Sequence, residues 1–530
     1  MATARTTDDK SWQPASNRWL IAVTVTLGSF MEVLDTTIVN VSLPHIAGSL
    51  SMGVDEATWT VTSYLVANGI VIPISGWLST LFGRKRYFLL CLGLFTLCSA
   101  LCGLSNSLPQ LIFFRLLQGL SGGGLQTTQQ TILLDTFAPA DRPKAFAFAM
   151  VTTVLAPVIG PALGGFITDH LSWRWVFLIN IPIGIMACLL VAAVVEDPPW
   201  EQRATRRGGN PIDYTGLGLL AIGLGCFQIV LDRGEEDDWF SSRFICIMAA
   251  ISLCALASAF VWLLEKKNPV VALTPLFNRD FMLGILITSG ALMPFFSVNI
   301  LLPQMVQSQF GYTAALAGLL LSPGGIGMIF ALVLASSSWL KASNHARIFF
   351  GLAGLGCAML NMSRVSPDID FTTLMIMRVY QGMVGAFIFV PISTMSYATM
   401  PHAQLRDATC LMSMIRNIMS SVAVSVTTAM VTQRTQAHMA YLSEHLSPLN
   451  PAYTDTIAQT KAAVSALGNP DGIAQASTTG LVYRALIRQS TILGYSDVFT
   501  AAGLVAFAVI PLTFLIRKAK KTPDPAMLGH

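Results

Sequence analysis

Apolar blocks of about 20 residues recur fourteen times along the 530-residue chain, and no other feature limits its folds as strongly. A helix of that length crosses the ~30 Å hydrocarbon layer of a bilayer. Inside a bilayer a backbone must satisfy its own polar groups, so each block is expected to be a helix. The blocks fall near 19–43, 58–80, 87–105, 109–135, 144–169, 175–195, 213–232, 243–264, 281–305, 314–340, 347–363, 371–398, 405–432 and 494–517. Charged residues make up 11% of the chain and hydrophobic residues 53%. A water-soluble protein carries roughly 25% charged residues, and one this long splits into domains joined by polar linkers. The chain is therefore read as an all-α polytopic membrane protein. Residues 1–17 are polar and lack a cleavable signal, so the first block is expected to remain as a membrane helix.

Basic residues set the orientation. With the N-terminus in the cytoplasm, 21 of the 32 Lys and Arg fall on the inner side. Four (Arg174, Arg233, Arg243, Arg364) fall in short outer loops, four in the long outer segment 433–493, and three (Arg115, Arg378, Arg416) inside blocks. Both termini are then expected to be cytoplasmic. The net charge of +4 gives no footprint for nucleic acid. The nine cysteines all lie in apolar blocks without a CxxC pair, and read as small buried hydrophobes. The seven histidines have no metal spacing, so no metal and no other cofactor is expected; His45 reads as a surface residue.

Three units are expected: residues 1–198 as one six-helix half, 199–270 as a basic linker (PWEQRATRRGGNPI) with two inserted helices, and 271–530 as a second half with a long periplasmic loop at 433–493. That loop contains short amphipathic runs, such as Thr456–Leu467, between Asn-Pro and Gly breaks, and is expected to be a partly ordered hairpin. The halves repeat: Arg115-Leu-Leu-Gln118-Gly119 recurs as Arg378-Val-Tyr-Gln381-Gly382, both about seven residues inside a helix entering from the outer side. Parallel repeats around a central site are a common plan for secondary transporters.

A charge in a bilayer costs roughly 2.5–3.5 kcal/mol even on lenient scales, so intramembrane charges point to function. The first block carries Glu32 and Asp35, three residues apart on one helical face. Asp35 lies ~24 Å along its helix and Arg115 ~9 Å below the outer surface of its own, which puts them at similar depth. Burial favours the neutral carboxyl and a neighbouring guanidinium favours the carboxylate, so a group poised between the two can load and release a proton. Two readings fit: proton coupling through Asp35, Glu32 and Arg115, or a static ion pair between helices. Gln118, Gly122, Gln126 and Gln129 extend a polar stripe along the fourth block; Tyr64 and Asn68 stand one turn apart on the second. Together with Phe295, Phe296 and Asn299 of the ninth block, and with Arg378, Gln381 and Arg416, they are expected to line a wet, substrate-binding cavity. Gly119–Gly124 (GLSGGG) follows no strand, and reads as a helix-packing surface instead of a phosphate loop. No enzyme motif is found.

The sequence resembles the major facilitator superfamily, specifically the fourteen-helix drug:proton antiporters of the EmrB/QacA type. Leu34-Asp35-Thr36-Thr37-Ile38-Val39-Asn40-Val41-Ser42-Leu43-Pro44 is similar to that branch's first-helix signature, and Arg115-Leu-Leu-Gln118-Gly119 to the fourth-helix motif assigned to proton coupling. Ala156-Pro157-Val158-Ile159-Gly160-Pro161-Ala162-Leu163-Gly164-Gly165 is similar to the fifth-helix antiporter motif, with Ala156 in place of its first glycine; Trp173–Pro182 is also typical of the branch. In the loop motif Gly76–Lys85, Thr80 stands where the superfamily usually has an acid, which leaves the usual charge network around Gly83 and Arg84 in question. The resemblance implies a major facilitator fold of two six-helix halves plus two inserted helices. It also implies proton-gradient-driven export of small amphipathic drugs, with protons and membrane lipid as the other partners. Gly76, Gly83, Arg84, Gly160, Pro161, Gly164 and Gly165 would serve conformational change. EmrB-like pumps work with an EmrA-like periplasmic adaptor and an outer-membrane channel, whereas QacA-like pumps work alone; both remain open. Export of one dedicated metabolite, siderophore or sugar also remains open. A non-transporting sensor or scaffold has no use for such costly charges.

Overall fold

The computed structural model describes residues 14–138, 141–197, 213–266, 269–336, 343–366, 369–400, 404–447, 449–466 and 470–517. The polar N-terminus and the basic linker 199–212 lie outside them apart from residues 14–17. Fourteen long helices are described: α1 (Arg18–Leu50), α2 (Trp59–Phe82), α3 (Arg84–Gly103), α4 (Leu108–Thr136), α5 (Arg142–His170), α6 (Trp175–Val194, interrupted at Ile179), α7 (Tyr214–Arg233), α8 (Arg243–Glu265), α9 (Arg279–Phe310), α10 (Ala314–Ser336), α11 (Asn344–Met362), α12 (Phe371–Ala398), α13 (Leu405–Ser443) and, after the shorter α14 (Pro451–Ala466), α15 (Asp471–Thr513); ten of them are long and apolar enough to cross a membrane. Among the described residues there is no strand.

Local chemistry sets the helix ends. The side chain of Asn278 accepts from the backbone N–H groups of Asp280 and Phe281 at the start of α9, and that of Asp370 from Thr373 at the start of α12. Asp213 caps α7 by accepting from Gly216 N, and its Oδ1 also accepts from Trp262 Nε1 of α8, which ties the two inserted helices together. Gly83, with φ +82, makes the sharp joint between α2 and α3, a conformation that a Cβ would strain.

The packing repeats between halves. α2 lies on α4, α1 on α5 and α6, and α3 on α4 and α6; in the second half α10 lies on α12, α9 on α13 and α15, and α11 on α12 and α15. The halves meet where α5 touches α10 and α2 touches α13, two contacts that the same repeat exchanges. α7 rests on α2 and α13, with α8 outside it. Leu220, Ala259 and Leu263 of this inserted pair share an apolar cluster with Phe281, Ile285 and Leu411.

Two helices in lipid gain little from hiding apolar side chains, so close approach of small residues carries their packing. A Cβ on Gly123 would stand 2.6 Å from the Asn68 carbonyl oxygen, and one on Gly119 would collide with that of Tyr64. In the second half Gly382 lies equally tight against Gly324, and a Cβ on Gly327 would meet the Val379 oxygen at 2.5 Å. The glycine-rich run of α4 is thus a packing surface, as its sequence suggests.

Two expectations are corrected. Only Cys91, Cys98 and Cys102 are buried, while Cys246, Cys254 and Cys357 are exposed on helix surfaces. The surroundings of a membrane helix are themselves apolar, so a small hydrophobe has no need of the interior. Segment 433–493 is not a loop with a partly ordered hairpin: α13 and α15 run on as helices, with α14 packed on α15. Arg434 Nε and His438 Nε2 of α13 contact Asp497 Oδ2 of α15 at 2.6 and 2.8 Å, which joins the extensions at their base.

Gly123→Leu is expected to lower the unfolding temperature of the detergent-purified protein by several degrees, because a backbone carbonyl cannot yield. Gly69→Leu, at a position with open space around it, should leave the temperature unchanged. Equal melting of the two variants would refute this account of the α2–α4 interface.

Candidate functional site

Three helices, α1, α4 and α6, meet at one buried carboxylate. Asp35 (α1) and Arg115 (α4) are both fully buried, with Nη1 and Oδ2 2.5 Å apart. Gln118, one turn beyond Arg115, donates from Nε2 to Asp35 Oδ1 at 3.1 Å, and its Oε1 accepts from Arg115 Nη1 at 2.9 Å. Asn180 (α6) donates from Nδ2 to the same Oδ1 at 2.8 Å and to Ser99 Oγ at 3.0 Å. Arg115 Nε donates to the Thr60 carbonyl at the head of α2, 3.1 Å away, and its guanidinium lies 4.2 Å over the Tyr64 ring. The depth reckoning thus brought Asp35 and Arg115 within reach, and the R-x-x-Q spacing puts Arg115 and Gln118 on one face of α4.

Every partner of the carboxylate is a donor: Arg115, Gln118 and Asn180. The arrangement therefore suits ionised Asp35, an acceptor only. Once protonated, Asp35 has an O–H that needs an acceptor where donors now stand, and it no longer attracts Arg115 as an ion. Asn180 Oδ1 is buried with no hydrogen-bond partner among the described residues, so turning that amide would offer an acceptor.

Glu32 does not join the ion pair. Its Oε1 accepts from Asn68 Nδ2 at 2.9 Å, and its Oε2 is buried with no partner among the described residues. Tyr64 and Asn68, expected along a wet cavity, are 1% and 5% exposed and belong to this charged centre, as does fully buried Gln118. Gln126 is half-buried farther along α4, toward the face that carries Arg84, Lys85, Arg142 and Lys144. Gln129 links α4 to α1 by donating to Thr26 Oγ1 at 2.9 Å.

The second half holds a copy with one change. Arg378 contacts Gln381 Oε1, as Arg115 contacts Gln118, but donates from Nη2 to the amide oxygen of Asn299 at 2.9 Å. Phe295, one turn before Asn299, packs edge-on against Phe296 and Phe389 with ring centres 6.1 and 5.3 Å apart. Arg416 is not part of this group; it lies on α13, half-buried, with Ser413 Oγ 3.5 Å away.

The motif glycines take distinct places. Gly160 and Gly164 of α5 press on Thr37 and Ile38, next to Asp35, whereas Gly165 has open space around it. The side chains of Pro161 and Thr80 lie outside those described. Gly76 of α2 faces Cys410 of α13 across the interface between halves, where a Cβ would stand 3.3 Å from Sγ. Arg84 pairs with Asp135 of α4, and Asp197 after α6 accepts from Lys85 N at 2.8 Å. An acid on another helix, Asp135, thus pairs with Arg84 although position 80 is Thr.

Sequence reasoning missed Asn180 and Ser99. Both are short polar residues inside apolar blocks, the signal that singled out Asn68. Asn180 follows the interruption of α6, where the Phe177 carbonyl accepts from Ser99 Oγ at 2.8 Å.

The model of the Major Facilitator Superfamily matches residues 25–424. The multidrug export protein EmrB of Escherichia coli (strain K12) is 34% identical over 499 residues, covering 94% of this chain and 95% of that protein. The fatty acid resistance protein FarB of Neisseria gonorrhoeae is 34% identical over 508 residues, covering 96% and 98%. Among solved structures, a bacterial homologue of the human lysosomal transporter Spinster superposes with a TM-score of 0.52 at 14% identity, covering 96% of this chain and 99% of that one.

Arg115→Leu strands the Asp35 carboxylate in the interior and is expected to cost about 3–5 kcal/mol of stability, while adding Asp35→Leu should restore part of the loss. Unfolding of the purified variants measures both; an Arg115→Leu protein as stable as wild type would contradict the pairing.

Proposed function

The chain belongs to the Major Facilitator Superfamily, as a relative of the EmrB multidrug export proteins, and we propose that Asp35 couples its transport to protons. Its activity is multidrug efflux, carried out by a protein that crosses the membrane many times. The observation that supports the coupling role is the fully buried Asp35–Arg115 pair, whose carboxylate is held by donors from two other helices.

Ionised Asp35 holds α1 to α4 and α6. A proton arriving from the outer side neutralises it and loosens that attachment. Arg115 keeps its bonds to the Thr60 carbonyl and Gln118, so the released element is α1. Through Thr37 and Ile38, α1 is keyed to Gly160 and Gly164 of α5, which meets α10 of the other half. A change at one carboxylate thereby reaches the surface on which the halves rock. Proton release to the cytoplasm restores the pair, and the proton gradient drives the cycle without a cofactor. Glu32, held by Asn68 and three residues from Asp35, is a second proton-carrying group on the same face.

The basic face is cytoplasmic, by the distribution of Lys and Arg, and the membrane is the bacterial inner membrane. Small amphipathic drugs enter between the halves, where Phe295, Phe296, Asn299, Arg378 and Gln381 receive them. The helical projection of α13, α14 and α15 then stands in the periplasm. Leu449 is 92% exposed on it and Tyr441 62%, apolar surface suited to an adaptor that leads to an outer-membrane channel.

Asp35→Asn keeps the shape and removes the titrating group. In everted vesicles, drug addition should release protons from the wild type and none from the variant, with both proteins present in equal amount. Wild-type proton release from Asp35→Asn would overturn the coupling role.

A further inference from the structure

The two halves differ in one charge. In the first half the guanidinium of the R-x-x-Q-G run meets Asp35; in the second, the matching partner on α9 is the neutral Asn299. Arg378 is 5% exposed, and its Nε is buried with no partner among the described residues. Among the described residues no acid forms an ion pair with it. Helices α10, α11 and α12 contain no Asp or Glu, and α9 has only Asp280, in its first turn. Asp280 accepts there from Arg517 N. On α13 and α15, Asp407 and Asp471 stand in the first turns, and Asp497 is held by Arg434 and His438. Amide oxygens solvate a guanidinium but do not cancel its charge, and an uncompensated charge in a low-dielectric interior is strongly unfavourable.

We propose that the missing counter-charge is the ligand's: Arg378, with Asn299 and Gln381, receives the head group of an amphipathic monocarboxylate. This rests on the reading of the chain as an exporter and names a ligand class for that site. A guanidinium presents a planar fork of donors that fits a carboxylate by two parallel hydrogen bonds, and the amide nitrogens of Asn299 and Gln381 can turn toward the same anion. At present those nitrogens donate to the Phe295 carbonyl, at 2.7 and 3.5 Å. The aromatic group of Phe295, Phe296 and Phe389 lies beside the polar cluster and accommodates an apolar tail. The first half supplies its carboxylate from the protein and the second takes one from the cargo.

Asn299→Asp tests this directly, because it builds into the second half the acid–guanidinium pair of the first and fills the anion's place. Equilibrium binding to the detergent-purified full chain would be measured with a dansyl-labelled fatty acid and with its methyl ester. Wild type should prefer the acid. In Asn299→Asp and in Arg378→Gln, the ratio of acid to ester affinity should fall about tenfold or more, the scale of losing one charged partner. Should Arg378→Gln fail to fold, Asn299→Asp alone decides the matter. Equal preference for the acid in Asn299→Asp and wild type would overturn the proposal, as would a wild type that does not distinguish acid from ester. Drug-induced proton release from vesicles is scored separately. Its absence beside intact acid preference would strike the antiport reading and leave this site standing.

Discussion

A charge in hydrocarbon must have a partner, and the first half of this protein is organised around the fully buried pair of Asp35 and Arg115. Asp35 and Arg115 sit 2.5 Å apart with no solvent exposure. Gln118 and Asn180 donate to the carboxylate, and the Thr60 carbonyl and Tyr64 ring hold the guanidinium. Replacing both charges by apolar residues would cost the fold little by general experience with buried ion pairs. Stability alone therefore does not account for their presence.

Glycine packing gives the pair its register. Gly119 and Gly123 seat α4 on the carbonyls of Tyr64 and Asn68, which fixes the height of Arg115 against α2. Gly160 and Gly164 seat α5 on α1 directly beside Asp35. These contacts are short-range, and α5 in turn meets α10 of the other half.

Much of this was legible in the sequence because hydropathy and helix rise are strong constraints in a membrane. The block near 371–398 is α12, Phe371–Ala398, and the block near 58–80 is α2, Trp59–Phe82. Similar depth made the Asp35–Arg115 pairing geometrically possible. What escaped were features that hydropathy does not register. α1 continues past Pro44 to Leu50, since an established helix can lose one hydrogen bond. α13 and α15 continue as helices where their residues turn polar, joined by the Arg434–Asp497 contact between residues 63 apart. The polar side chains of Tyr64 and Asn68 point to a charged centre and not to water, a choice set by which helix lies opposite. Asn180 gave only a weak signal, being a single amide in an apolar run.

The central claim is that Asp35 changes protonation when ligand binds. Infrared difference spectroscopy on the purified protein reads this at the carbonyl stretch of a protonated carboxylic acid, which a carboxylate lacks. Drug addition should change that band in the wild type, and the change should be missing in Asp35→Asn. A band that does not respond to drug, or that responds equally in Asp35→Asn, would contradict the claim.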